Sequence, residues 1–332
     1  MTTRFGVSEK RQIMNTSPAS MTLGIQPTGW TNDDFPEIGN DTPYQVILDQ
    51  TKGAGFEGGS TGHNYPSHLP SLCKAMGSRG LKIASTWAGT AFTTGVNAAA
   101  AFADFQAQVT FLKEVGAHDI VVAELANAVN QVRTKSVLNE RPKLTEGQWF
   151  LLIELLNQAG KYAKEQGMQL SYHPHVGTCV MTVKETQHLL DHTNPDYVGL
   201  CLDTAHLRYG GASPKELVAL AKNYAGRITH VHLKNVRPAV LAAAKDYSFY
   251  QAIRSGIFTV PGDREGEDPE LVLDPVMELL KEVGYCRWMV IEAEQVPPPY
   301  DPSGPENGTP ESPTPLAYAR IARGYLRKHL GY

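Results

Sequence analysis

The chain has 332 residues, 42% of them hydrophobic and 19% charged, with a net charge of −4, an ordinary globular composition that suits one large α/β barrel or two smaller domains. The mild acidity excludes the concentrated basic surface that nucleic acid requires, so no nucleic-acid partner is expected. Cys73, Cys179, Cys201 and Cys286 are scattered with no C-x-x-C pair, which argues against a disulfide framework or a thiolate zinc site and fits a reducing cytosol. The first twenty residues, MTTRFGVSEKRQIMNTSPAS, are too polar for a signal peptide and read as a loosely held arm. No apolar run approaches the roughly eighteen residues of a membrane span. A cytoplasmic protein with no membrane partner is the expectation.

In chain order, short apolar runs predict strands at 21–25, 56–60, 81–87, 119–125, 168–173, 197–203, 228–234 and 287–293. FEGGS at 56–60 is the weak member. Helical stretches fall between them at 43–53, 67–79, 100–115, 146–166, 184–192, 214–225, 241–255 and 270–283, with a last one over 315–330. Gly55, Gly116, Gly167 and Gly284 stand where helices should stop, since glycine enters the left-handed conformation that ends them. Thr145, followed by Gln148, reads as an N-cap with its box partner. Eight β-then-α units point to a (β/α)8 TIM barrel spanning 21–332, with a Pro-rich loop at 297–314 before the last helix. The rival doubly wound sheet lacks a G-x-G-x-x-G after its first strand.

A barrel of this kind builds its site at the C-terminal ends of its strands. Polar residues collect there: Glu124, then His173 and His175, Asp203 and His206, His230, His232 and Lys234, and finally Glu292 and Glu294. Burying the Asp of YVGLCLD unpaired costs on the order of several kcal/mol, which a divalent cation can offset. Imidazole and carboxylate together suit manganese, cobalt, iron or zinc. Each residue also has a plain structural reading. Glu124 can pair with Arg141 or Lys143, His230 can pack in the barrel layers, and Glu294 can simply line the mouth. For Asp203, His232 and Glu292 together a structural reading needs three unneeded buried polar groups on three strands.

The motifs LDTAH (202–206), HVHLKN (230–235) and VIEAE (290–294) resemble those of the xylose-isomerase-like barrels. In that group the metal is held by a strand-5 Glu, the Asp of DT-x-H, the second His of H-x-H and the strand-8 Glu. Asp203, His232 and Glu292 match, and His173 occupies the place of the strand-5 Glu. With GWTNDDFPEIG (29–39), GFEGGSTGHNYP (55–66), NERPKLTEGQW (139–149), YHPHVGT (172–178) and FTVPGD (258–263), the chain is similar to the inosose dehydratase family, from about residue 21 onward. It departs from that family at Ser60, where a Glu is usual, at Asn235, where an Asp is usual, and in the Pro-rich insertion.

The resemblance implies elimination of water from a keto-cyclitol such as 2-keto-myo-inositol. His173, Asp203, His232 and Glu292 would be the metal ligands, with Mn²⁺ or Co²⁺ expected and Zn²⁺, Fe²⁺ or Mg²⁺ also open. Glu292, His175 and Glu124 are the catalytic candidates, and His206, Lys234, Trp30, Asn32 and Asp33 the substrate contacts. WTNDD reads equally as a capped turn. Two rivals in the same barrel are a ketose isomerase or epimerase and a lyase acting on a 3-keto sugar or keto-glycoside. A third is a non-catalytic carbohydrate-binding protein. A homo-oligomer is left open.

Overall fold

The structure is a computed structural model, and it describes residues 20–95, 97–263 and 273–332. The expected N-terminal arm and the first residues of the helix expected at 270–283 lie outside these. Nine strand segments form one all-parallel sheet: β1 (Thr22–Ile25), β2 (Gly58–Gly59), β3 (Lys82–Ile83), β4 (Trp87–Thr90), β5 (Asp119–Glu124), β6 (Gln169–Tyr172), β7 (Val198–Asp203), β8 (Ile228–Leu233) and β11 (Trp288–Ile291). Two small antiparallel ribbons accompany it. One joins β9 (Asn235–Val236) to β10 (Phe258–Thr259), the other β12 (Gly308–Thr309) to β13 (Ser312–Pro313).

The order of neighbours is β3-β2-β1-β11-β8-β7-β6-β5-β4. Its two ends, β3 and β4, are halves of one extended segment. Between them the Ala84 amide donates to Gly59 O at 2.9 Å on one side, and Thr86 O accepts from the Val121 amide at 3.3 Å on the other. The expected strand 81–87 therefore runs on to residue 90, and by switching partners it closes the ring into the eight-stranded barrel.

The weak signal at FEGGS has a steric cause. A Cβ on Gly58 would sit 1.9 Å from Lys82 O, and one on Gly59 2.0 Å from Ile25 O. Strand propensity gives way there to the close approach of three backbones, which only glycine allows.

Helices cover the outside with their apolar faces inward. Glu146–Glu165 buries Leu152, Leu156, Ala159 and Ala163, a stripe at helical spacing. The capping box at its start is formed, with the Thr145 hydroxyl accepting from the Gln148 amide. Gly55, Gly116, Gly167 and Gly284 all have positive φ, as their helix-ending role requires. Two expectations are corrected. The helix expected over 241–255 is two short ones, Pro238–Ala243 and Phe249–Arg254, the second starting on a Ser248 cap. A further helix, Thr204–Tyr209, follows β7 without a loop. Among the described residues no helix is long and apolar enough to cross a membrane.

Candidate metal centre and active-site cavity

His173 and Glu292 each stand one residue past a strand end and continue its ladder. The His173 amide donates to Val122 O at 2.8 Å, and the Glu292 amide to Leu233 O at 3.4 Å. Asp203 ends β7 and is paired in register with His232 of β8, below a register shift at Leu200/Cys201. Such a shift re-aims the side chains that follow it. Four adjacent strands thus turn His173, Asp203, His232 and Glu292 toward one point, with one donor atom of each within 4.8 Å of the others.

The two oxygens of Asp203 are differently employed. Oδ1 accepts from the amides of Ala205 and His206, at 2.9 and 2.7 Å, and so starts the helix that directly follows the strand. That geometry is why the T-A-H after the Asp folds as it does. Oδ2 is left for the site, 3.4 Å from His173 Nε2 and 3.7 Å from His232 Nδ1. His232 Nδ1 is 2.6 Å from Glu292 Oε2. All three of Asp203 Oδ2, His232 Nδ1 and Glu292 Oε2 are buried without a hydrogen-bond partner. Unpartnered buried polar atoms are rare and call for a cause. Donors about 2.1 Å from a divalent ion lie roughly 3–3.5 Å from one another. The two Asp203 distances are near that range, and the His232–Glu292 pair, at 2.6 Å, would open slightly around an ion.

Charge points the same way. Asp203, Glu292 and Glu294 are three buried carboxylates, and the Lys234 ammonium stands among them at 3.4, 3.4 and 2.8 Å. One cation for three anions leaves an excess that a divalent ion would neutralise. Burial, with Glu294 and Asp203 beside it, pushes the Glu292 carboxyl up to about 7 in spite of Lys234. Burial works against ionising Asp203 too, but Lys234, His206 and His173 outweigh it and hold that carboxyl well below its ordinary range. Burial lowers His232 to about 3, so its ring is neutral and can offer a lone pair. Cys201 is also close to His173 and His232. Burial, with Asp203 and Glu292 nearby, raises its thiol well above the ordinary range.

These donors open onto a cavity of about 210 Å³ whose lining includes His173, His175, His232, Glu292 and Glu294 on one side. The first loop and strands β2 to β4 contribute Asn32, Asp33, Asp34, Ser60, Ser85 and Trp87 on the other. No Lys or Arg lines it among the described residues.

A family model of the xylose isomerase-like TIM barrel matches residues 48–318. An inosose dehydratase of Geobacillus thermodenitrificans is 38% identical over 313 residues, 93% of this chain and 97% of that one. One of Erwinia tasmaniensis is 37% identical over 311 residues, with the same two coverages. The chain belongs to the inosose dehydratase family. Among solved structures, an IolI protein with a bound zinc atom superposes with a TM-score of 0.64 at 15% identity, covering 94% of this chain and 98% of that one. A D-psicose 3-epimerase studied with D-fructose gives 0.62 at 17% identity, covering 94% and 100%. Likenesses so distant in sequence speak for the shared barrel.

Against this family site, four sequence expectations need correcting. Glu124 does not line the cavity. Its carboxylate accepts from the Thr90 hydroxyl (2.7 Å), the Phe92 amide (2.9 Å) and the Thr93 amide and hydroxyl (3.1 and 2.8 Å), so it holds the turn after β4. Arg141 pairs with Glu185 instead, at 2.7 Å. Trp30 faces away, into a second cavity beneath the Pro-rich loop with Gln50 and Pro297, and its indole donates to Gln50 at 2.5 Å. His206 and Lys234 are fully buried behind the lining rather than in it, both against Glu294.

Other expected residues lie in or near the cavity. His175 lines the cavity, and its ring lies 3.8 Å from that of His206. Asn32 lines it while its Oδ1 accepts from the Phe35 amide at 2.9 Å, so WTNDD is a capped turn and a cavity wall at once. Asp33 lines it and accepts from the His63 amide and ring, both at 2.9 Å. His230 packs one layer deeper, 3.4 Å from Asp119.

Sequence reasoning missed Asp34 and Trp87. The signal for Asp34 was the second acid of the NDD run. That for Trp87 was a partly exposed Trp at a strand end, which here stands against the rings of His173 and His175 at 5.4 and 5.3 Å.

Proposed function

We propose that this protein is a divalent-metal-dependent hydro-lyase that removes water from a keto-cyclitol of the 2-keto-myo-inositol type. The observation that carries the reading is the set of unpartnered donor atoms on Asp203, His232 and Glu292, with His173 converging on them, at the floor of a polar cavity, in a chain 38% identical to an inosose dehydratase. A divalent ion bound there would supply Lewis acidity to the substrate ketone and make the neighbouring C–H more acidic. Mn²⁺ or Co²⁺ suits a mixed imidazole and carboxylate set, with Zn²⁺, Fe²⁺ and Mg²⁺ as the competing ions.

His175 takes the proton α to the ketone. Its Nδ1 lies 2.7 Å from Val176 O, and a carbonyl only accepts, so Nδ1 carries the ring proton and Nε2 keeps its lone pair. Burial, with His206 and His173 nearby, holds the ring well below its ordinary pKa and hence neutral. Lys234 and His206 fix Glu294, and with it the wall beside Glu292. The cavity lining carries hydroxyls and carboxylates but no cation. That favours an uncharged polyol over a sugar phosphate, whose recognition calls for Arg or Lys.

The test is turnover of 2-keto-myo-inositol and of a 3-keto-glucoside by protein stripped with chelator and reloaded with each ion in turn. The expected outcome is a dione absorbing in the ultraviolet from the cyclitol, only after metal addition. Product from the 3-keto-glucoside alone would move the assignment to a keto-glycoside lyase.

A further inference from the structure

Loss of water from a β-carbon needs a proton for the departing hydroxyl as well as a base for the α-proton. Most acidic groups around the cavity are already committed. Asp203 Oδ2 and Glu292 Oε2 belong to the metal set. Glu294 takes the Lys234 ammonium at 2.8 Å on Oε2, with His206 Nε2 3.4 Å from Oε1. Asp33 is half exposed and pairs through Oδ1 with both the amide and the ring of His63. The ring proton of His175 is given to Val176 O.

Asp34 is different. It lines the same cavity, beside Asp33 and opposite the His173, His175 and Glu292 side. Its Oδ1 accepts a single bond from Gln131 Nε2 at 2.8 Å. Among the described residues no Lys, Arg or His stands within ion-pair distance of it. The loop that carries it is firmly held. Asn32 caps the turn, Phe35 packs on the Tyr250 ring at 5.0 Å, and Arg133 lies 4.5 Å over that same ring.

Resting on the dehydratase reading, we propose that Asp34 is the catalytic proton donor to the departing β-hydroxyl. Gln131 holds Oδ1, Asn130 stands beside the same carboxyl, and Oδ2 carries the proton. As the C–O bond breaks, its electron pair goes to oxygen, which takes the Asp34 proton and leaves as water. The α C–H pair becomes the new C=C bond, its proton held on His175 Nε2. His175 then releases that proton and Asp34 regains one from solvent, so the substrate has lost one H and one OH.

The surroundings suit a carboxyl that must hold its proton near neutrality. Burial, with the charges of Glu294 and Asp33, raises Asp34 to about 6, while Gln131 and Asn130 pull the other way. An acid of that strength is well matched to its task.

The experiment compares wild type with Asp34→Asn, metal-loaded, on 2-keto-myo-inositol and on its analogue with fluorine in place of the departing hydroxyl. Fluoride leaves with little need of a proton. The expected result is a loss of about 10²–10³-fold in kcat on the hydroxyl substrate and only a small loss on the fluoro analogue. Exchange of the α-proton in D₂O should persist, and the alkaline limb of kcat/KM near pH 6 should disappear. As a second variant, Asp34→Glu, which keeps a carboxyl, should retain part of its water elimination. Equal losses on both substrates, loss of α-proton exchange, or full activity in Asp34→Asn would each overturn the assignment to Asp34 while leaving the dehydratase reading intact. A metal-loaded wild type that eliminates from neither compound removes both.

Discussion

The two walls of the cavity are built on different principles. One comes from the ends of four adjacent strands, β6, β7, β8 and β11, and its groups are buried, paired and electrostatically interdependent. The other comes from the first loop and from the short strands β2 to β4, and its groups are held by turns and hydrogen bonds between loops. In the first wall one side chain serves several ends: Asp203 caps a helix with one oxygen and faces the metal site with the other. In the second the work is divided, so that Asn32 makes the turn, Asp33 holds His63 and Asp34 lines the cavity on the Gln131 bond. A rigid strand-end wall suits an ion, whose donors must stay put. A loop wall suits a substrate whose hydroxyls must be met from several directions.

That contrast can be tested from either side. The largest effect is expected at Asp203→Asn. The amide oxygen can still cap the helix, which turns toward the ion and Lys234 an NH2 group with no lone pair to give, so metal content by elemental analysis and turnover should fall together to background. Retained metal with lost activity would mean that the strand-end wall is not the ligand set.

A smaller effect concerns pH. Glu292 is raised to about 7 and Asp34 to about 6, both above the ordinary carboxyl range. The folded chain therefore holds protons that the unfolded chain gives up. Above about pH 6.5, where imidazoles are neutral in folded and unfolded chain alike, the stability of metal-free protein should fall as pH rises through 7, read as Tm in the presence of chelator. Below it the buried rings of His175, His206 and His232, held under their ordinary range, reverse the sign. Saturating metal should remove most of that decline, because the ion takes the place of the Glu292 proton. Asp203, held well below its ordinary range, has the opposite sign and loses its contribution only at strongly acidic pH.

The smallest effect belongs to Trp30→Phe. It removes the bond to Gln50 at the second cavity and should cost about 1 kcal/mol in urea denaturation. It should leave KM for the keto-cyclitol unchanged. A large change in KM would join the second cavity to the first and dissolve the division between the walls.

Much of this was legible in the chain itself. The alternation of apolar runs and helical stretches sets the barrel, because the periods of strand and helix are local properties. The motifs LDTAH, HVHLKN and VIEAE declare the strand-end wall for a related reason. A side chain at the end of a parallel strand has its direction fixed by the pleat, so position along the sequence translates into position at the barrel mouth. Where side chains leave the strand ends, that translation stops. His206 and Lys234 stand within the motifs themselves, yet the packing against Glu294 holds both behind the wall. Glu124 ends its strand as Asp203 does, but four donors from the turn after β4 claimed its carboxylate. Trp30 and Asp34 share one short loop and went to different cavities, since a loop's side chains follow the partners it meets, here Gln50 and Gln131, and those come from distant parts of the chain. The closure of the ring through the switch of partners between β3 and β4 also depended on neighbours the local sequence does not name. The sequence by itself determined the barrel, through short-range periodicity, and pointed to the four proposed donors through its motifs. Tertiary structure alone decided which acid lines the cavity, because burial and charge at a point are sums over all that surrounds it.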